Sequence, residues 1–179
     1  SLGHKIETII PILKNLDSVP GRAEILETGL DNCPKVIIDY AHTPDAFNNI
    51  LGFLKLLKYE NLNIVFGCGG DRDKGKRKEM ATIVNHYADF AVVTSDNPRN
   101  ENPKKIIDDI YQHLTISSLA IEDRERAIEE VLKKANPNDL ILIAGKGHET
   151  YQDIKGVRKD FSDKLIAKKY LIKFFGEKN

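Results

Sequence analysis

The sequence predicts an α/β fold: a mainly parallel sheet with helices on both faces and an antiparallel hairpin near the C-terminal edge. Three observations carry this. Short, continuously apolar runs such as Val36-Ile37-Ile38 and Phe90-Ala91-Val92-Val93 are the pattern of strands buried on both faces. They alternate with longer segments in which apolar residues recur at helical spacing, the βαβ arrangement. Helical segments open on a capping residue followed by proline, as at Thr43-Pro44 and Asn102-Pro103. A length of 179 residues suits one domain with a full core, or one domain with an appendage.

Leu2, Ile6, Ile9, Leu13 and Leu16 fall at helical spacing, Pro11 interrupts them, and Val19-Pro20-Gly21 punctuates the chain. Residues 1–20 are read as a tail belonging to a neighbouring domain, in preference to a helix packed on its own domain, and residues 21–179 as the folded unit. Arg22 to Thr28 reads as a strand, Asp31-Asn32-Cys33-Pro34 as a turn, and Lys35 to Tyr40 as a buried strand. Thr43 caps a helix whose buried stripe is Phe47, Ile50, Leu51, Leu54 and Leu57. Strand Leu62 to Phe66 runs into a glycine-rich loop, followed by a helix over Gly75 to Tyr87 and a strand over Ala88 to Thr94. After Asn102-Pro103 a helix buries Ile106, Ile107, Ile110 and Leu114, and Ser118 to Ile121 is a short strand. Asp123 caps a helix carrying Ala127, Ile128, Val131 and Leu132, which Asn136-Pro137 stops. Asp139 to Ala144 is a strand, Tyr151 to Ile154 and Val157 to Phe161 flank Lys155-Gly156 as a hairpin, and Ser162 caps a last helix that Gly176 ends.

Lysine plus arginine and aspartate plus glutamate each number 27, so there is no overall basic field, which argues against nucleic acid as the main partner. Cys33 and Cys68 form no C-x-x-C pair. Nothing suggests a disulfide framework or zinc site, and reduced thiols fit the cytoplasm. No apolar run approaches the roughly 18 residues of a membrane span, and the start is not a signal peptide.

Four polar loops follow strands of one parallel sheet and are expected at one rim, where open α/β sheets bind ligands. The first, Asp39-Tyr40-Ala41-His42-Thr43-Pro44, offers a strand-end carboxylate that could accept from ribose hydroxyls, and a histidine beside a helix N-terminus, which favours anions. A capped turn with a surface histidine is the plainer alternative. The second, Gly67 to Arg77, contains a G-x-x-x-x-G-K pattern from Gly70 to Lys76. Arg77 stands where a phosphate loop needs Ser or Thr, and Asp71 and Asp73 would repel phosphate. A hydrolysing phosphate loop is therefore rejected in favour of a glycine turn that brings Arg72 to a ligand, or of a charged surface loop. The third, Ser95-Asp96-Asn97-Pro98-Arg99, presents a guanidinium fork that fits a carboxylate. The fourth, Gly145-Lys146-Gly147-His148-Glu149, combines glycines that permit close approach with an acid that could pair with an ammonium group; Gln152 excludes a zincin pattern. No spacing specifies a catalytic triad or a closed metal site. Arg72 and Arg99 for carboxylates, with Glu149 and Asp96 for an amine, match an amino acid bearing more than one charged end.

Asp39 to Asp45, Phe66 to Arg77, Asp96-Asn97-Pro98-Arg99 and Ala144 to Glu149 together resemble the C-terminal domain of the Mur ligases, in the right order and over about Val19 to Leu171. The resemblance is strongest to the branch that adds the third residue of the peptidoglycan peptide. It implies a Rossmann-like domain of an ATP-dependent, amide-forming ligase that brings the amino acid and closes over ATP held mainly by a central domain. By the same resemblance Arg72, Asp96, Asn97, Pro98, Arg99, Gly145 and Glu149 line the amino acid pocket, Arg22 and Asp39 contact the nucleotide, Asp39 at the ribose, and His42 lies near the phosphates. Residues 1–20 then correspond to the last helix and linker of the central domain.

The Asp-Asn-Pro-Arg form implies meso-diaminopimelate as the amino acid, added to UDP-N-acetylmuramoyl-L-Ala-D-Glu. Diaminopimelate has a second carboxylate where lysine has hydrogen, and lysine would leave Arg99 unpaired in a closed pocket at a cost of roughly several kcal/mol. Lanthionine shares that carboxylate. The family's ATP loop, carbamylated lysine and Mg2+ ligands belong to the central domain and its UDP-sugar site to the N-terminal domain, so ATP and Mg2+ are expected in the complete enzyme and this chain alone is expected to be inactive. Alternatives are a ligase domain for lysine or for glutamate addition to folate, and a free-standing module for a small anionic or zwitterionic ligand.

Overall fold

The structure, a computed structural model, describes residues 19–176. The expected tail at residues 1–20 therefore lies, but for Val19 and Pro20, outside the described residues. Elements run in the order β1 (Glu24–Ile25), β2 (Lys35–Asp39), α1 (Pro44–Leu54), β3 (Leu62–Phe66), α2 (Gly75–Tyr87), β4 (Phe90–Val93), α3 (Pro103–Tyr111), β5 (Ser117–Ala120), α4 (Arg124–Lys134), β6 (Leu140–Ala144), β7 (Tyr151–Ile154), β8 (Val157–Asp160) and α5 (Asp163–Phe175).

The main sheet has the strand order β1-β2-β6-β3-β4-β5. Every pairing from β2 to β5 is parallel, and β1 adds an antiparallel edge. Because side chains alternate across a strand, the sheet buries two apolar faces. Ile37, Ile64, Phe66, Val93 and Leu142 meet Phe47, Leu51, Met80, Val84 and Ile110 of α1, α2 and α3 on one side. Val36, Ile38, Val65, Val92, Ile141 and Ile143 meet Ile128, Val131, Leu132 and Leu171 of α4 and α5 on the other. Among the described residues no helix is long and apolar enough to cross a membrane.

The expected caps form. Thr43, Asn102, Asp123 and Ser162 accept from the amides of Ala46, Lys104, Arg126 and Leu165, and Pro44 and Pro103 open their helices. Three expectations shift in detail. The first strand shrinks to Glu24–Ile25, since Ala23 at φ 44° and Gly29 at φ 71° turn the chain on either side. Leu57 is exposed because α1 stops at Leu54. Gly176 ends α5 in an extended conformation, at φ −65°, not in the left-handed region. The hairpin β7–β8 forms a separate sheet. A parallel bridge between Arg99 and Ile154, and bonds from Gln152 and Asp153 to the Ser95–Asn97 loop, link it to the rest.

Candidate functional site

Strands β2, β6, β3 and β4 lie side by side and run the same way, so the loops that leave them meet at one rim. They surround an open cavity of about 450 Å³ lined by His42, Arg72, Asp96, Asn97, Arg99, Gly145 and Glu149, together with Tyr40 and Lys76. Three expected site residues lie outside this lining: Pro98, expected in the amino acid pocket, and Arg22 and Asp39, expected at the nucleotide. Pro98 lines the opposite side of its loop, against the hairpin. Asp39 is 8 % exposed and outside the lining, and Arg22 lies beyond Tyr40 at the rim.

Asn97 joins the loops. Its Nδ2 donates to Glu149 Oε2 at 2.9 Å, and its Oδ1 accepts from Lys146 Nζ at 3.0 Å and from the Asp153 amide at 2.9 Å. Its carbonyl accepts from the Gly70 amide at 2.9 Å. Gly70 is required for that approach, since a Cβ there would stand 2.0 Å from the Pro98 carbonyl oxygen.

Arg99 adopts φ 50°, a left-handed conformation that a long side chain takes only when its surroundings impose it. The hairpin imposes it: the Arg99 amide donates to Asp153 O at 3.0 Å and its carbonyl accepts from Lys155 N at 2.8 Å. Nη1 donates to Gly70 O at 2.9 Å and to Asn97 O at 3.4 Å. Among the described residues no acceptor meets Nε or Nη2, so that edge of the fork is free for a carboxylate. Arg72 is exposed across the cavity, and among the described residues its side chain makes only a 3.5 Å hydrogen bond, from Nη1 to Asp71 O.

Two carboxylates oppose these cations. Glu149 is held by Asn97 and by Lys146, whose Nζ lies 3.2 Å from Oε2. Asp96 is 6 % exposed and its carboxylate has no hydrogen-bond donor among the described residues. It sits against Gly145, which has φ 114° and where a Cβ would be 2.4 Å from Asp96 Oδ2. Burial pushes the Asp96 carboxyl above its ordinary 3.8, Asp163 and Glu149 push the same way, and Arg124 and Lys146 oppose. Because the folded value exceeds the unfolded one, Asp96 destabilises the fold at neutral pH and costs nothing below pH 3.8. Asp96→Asn is therefore expected to melt above the wild type at pH 7 by scanning calorimetry. The gap should close as pH falls through the raised pKa and vanish below the ordinary value. Equal melting temperatures at neutral pH would contradict the assignment.

The β2 side of the cavity is built around Tyr40. Arg22 lies 4.8 Å from its ring centroid, and the His42 and His148 rings lie 4.8 and 5.5 Å away. Burial and the charges of Glu149 and Asp96 raise the Tyr40 pKa. His42 Nδ1 is 2.8 Å from Tyr40 O, and Lys76 Nζ donates to His42 O at 3.0 Å. Arg22, His42 and Lys76 beside the N-terminus of α1 are a donor set that fits phosphate. Asp39 gives one oxygen to each of two amides, Ala23 at 2.7 Å and Ala41 at 2.6 Å, so its carboxylate shapes the loop. Among the described residues no group of three or more His, Cys, Asp or Glu side chains is placed to hold a metal ion. Cys68 is buried and its thiol pushed up to about 12, so it is no nucleophile.

The expected site residues omit the buried cations that hold the rim together. Arg77, 1 % exposed, donates from Nη2 to both Glu101 oxygens at 2.9 and 3.0 Å and from Nη1 to Asp109 at 2.8 Å, which ties the Arg72 loop to the Arg99 loop. Arg124 makes two 2.8 Å bonds to Asp163 and one of 2.9 Å to Ala144 O, immediately before Gly145. Lys146 is fully buried beneath Asn97 and Glu149. Only Lys146 carries a sequence signal, the glycines on either side of it.

A family model described as Mur ligase, glutamate ligase domain, matches residues 21–147. The UDP-N-acetylmuramoyl-L-alanyl-D-glutamate--2,6-diaminopimelate ligase of Haemophilus ducreyi is 47% identical over 174 residues, covering 96% of this chain and 35% of that protein. The ligase of the same name from Bacillus cereus is 45% identical over 167 residues, covering 93% and 34%. A solved structure of a ligase of that name superposes with a TM-score of 0.79 at 38% identity, over 94% of this chain and 35% of the other. The chain thus spans about a third of the length of the curated relatives it matches.

Proposed function

From the premise that this chain belongs to the Mur ligases, as their glutamate ligase domain, we propose that it is the amino-acid-binding domain of an ATP-dependent ligase that joins meso-diaminopimelate to UDP-N-acetylmuramoyl-L-Ala-D-Glu. The observation that carries this reading is the convergence of Arg72, Arg99, Asp96 and Glu149 on one cavity. The two guanidinium and two carboxylate groups of these four residues complement a guest with two carboxylates and two ammonium groups.

In this reading the free edge of Arg99 grips the carboxylate that lysine lacks, and Arg72 closes over the cavity from the facing loop. Asp96 and Glu149 receive ammonium groups, and Asn97 and Gly145 fix their spacing. Arg22 and His42 meet the nucleotide's phosphates from the β2 side. ATP, with Mg2+, supplies the phosphoryl group that activates the dipeptide carboxylate. This chain's part is to present the attacking amine and exclude water. Residues 1–20 serve as the link to the ATP-binding domain. Free thiols at Cys33 and Cys68 suit a reducing compartment, the cytoplasm, where a UDP-linked precursor is made.

The test is ATP-dependent amide formation by the whole ligase, offered diaminopimelate, lysine or glutamate with the UDP-muramoyl dipeptide. Diaminopimelate is expected to be used, and the 179-residue chain alone to form no product. Preference for lysine, or for glutamate on a folate acceptor, would overturn the reading.

A further inference from the structure

We infer that Lys146 is a positioning residue, which holds Asn97 and Glu149 in the poses that face the cavity and supplies the fixed positive charge beside the acidic pair. The inference rests on the functional reading above only in treating Glu149 and Asn97 as ligand contacts. Lys146 has no exposed side-chain surface. A lysine is rarely fully buried unless its charge is paired. Its Nζ donates to Asn97 Oδ1 at 3.0 Å and to Glu149 Oε2 at 3.2 Å, and the Tyr151 ring centroid lies 5.7 Å away. Among the described residues Glu149 is the one carboxylate within ion-pair distance of it.

The geometry makes Lys146 the joint of a triangle. Nζ touches Asn97 and Glu149, and Asn97 Nδ2 itself donates to the same Glu149 oxygen at 2.9 Å. Both cavity-lining groups are thus fixed from behind, which leaves Glu149 Oε1 for an incoming group. Charge points the same way. Asp96 and Glu149 together carry two negative charges when ionised, and Arg124 is already engaged by Asp163. Lys146 cancels one of the two. The remainder attracts an ammonium group without the repulsion that two uncompensated carboxylates would suffer.

The test is an NMR titration of the isotopically labelled chain with meso-diaminopimelate, which reads weak affinities. In Lys146→Met the fold should persist, the Asn97 side-chain amide should exchange faster with water, and affinity should fall by about tenfold to a hundredfold, the loss expected when charged hydrogen-bond partners are left buried and unmet. Adding Glu149→Gln to Lys146→Met should cost far less affinity than Glu149→Gln alone, a coupling that a merely structural role would not produce. Unchanged affinity in Lys146→Met, or losses that multiply independently, would overturn the inference. Should Lys146→Met fail to fold, the wild-type Lys146 ammonium decides. It should show a slowly exchanging resonance coupled to Asn97, and a rapidly exchanging amine would overturn the inference. If neither the wild-type chain nor the whole ligase binds diaminopimelate, the functional reading fails, and the exchange measurements still decide whether Lys146 positions Asn97.

Discussion

In the whole ligase, Arg99→Ala is expected to reduce the preference for diaminopimelate over lysine from about 10⁴-fold to near parity, read as the ratio of kcat/KM values. The size follows from how Arg99 is held. Its backbone is clamped in a left-handed conformation by the hairpin, and Nη1 is engaged by Gly70 and Asn97. The guanidinium is therefore held toward the cavity whether or not the guest carries a carboxylate. A closed pocket containing lysine would keep an unpaired cation, and removing the arginine removes that penalty along with the attraction for diaminopimelate. Lanthionine retains the second carboxylate and should lose as much as diaminopimelate does. Selectivity that survives the substitution would place the discriminating contact elsewhere.

The second large effect concerns stability. Asp163→Ala is expected to destabilise the chain by about 3–5 kcal/mol, the range for removing one partner of a buried ion pair. For a domain of this size that lowers the melting temperature by roughly ten degrees or more. Arg124 and Asp163 have no exposed side-chain surface, and their paired bonds join the first turns of α4 and α5. Arg124 Nη2 also reaches the Ala144 carbonyl at the end of the central strand β6, while Nη1 has no partner among the described residues. Without Asp163 the guanidinium would be a buried, half-bonded cation under the Gly145 loop. Replacing both residues with apolar ones, Arg124→Met with Asp163→Leu, should cost less than the single change, because no uncompensated charge remains. Calorimetry of the single and double variants checks this, and a double variant less stable than the single one would contradict it.

What the sequence made legible was local. Capping residues, proline at the first helical position and continuous apolar runs depend on neighbours in the chain, and Thr43, Asn102, Asp123 and Ser162 all cap the helices expected of them. Strand order was not legible, because β6 slots between β2 and β3 and pairs with residues about a hundred and about eighty positions earlier. That insertion is what brings the Gly145 loop between the His42 and Arg72 loops. The loop chemistry was readable as residue types, and Arg72, Arg99, Asp96 and Glu149 do line one cavity. Which face each residue presents was not readable. Asp39 keeps the strand-end position read from the sequence, and the two backbone amides that donate to its oxygens left no trace in the local pattern. Arg77 stands in what reads as a charged surface loop, yet it turns inward to Glu101, 24 positions away. Burial of a cation depends on a distant partner, and local pattern carries no trace of such a pairing.

The most direct test of the central claim is a structure of the chain with meso-diaminopimelate bound. One carboxylate should sit on the free Nε and Nη2 edge of Arg99, and an ammonium group within hydrogen-bond distance of Asp96 or Glu149. A ligand seated away from this cavity, or one whose second carboxylate points to solvent past Arg99, would contradict it.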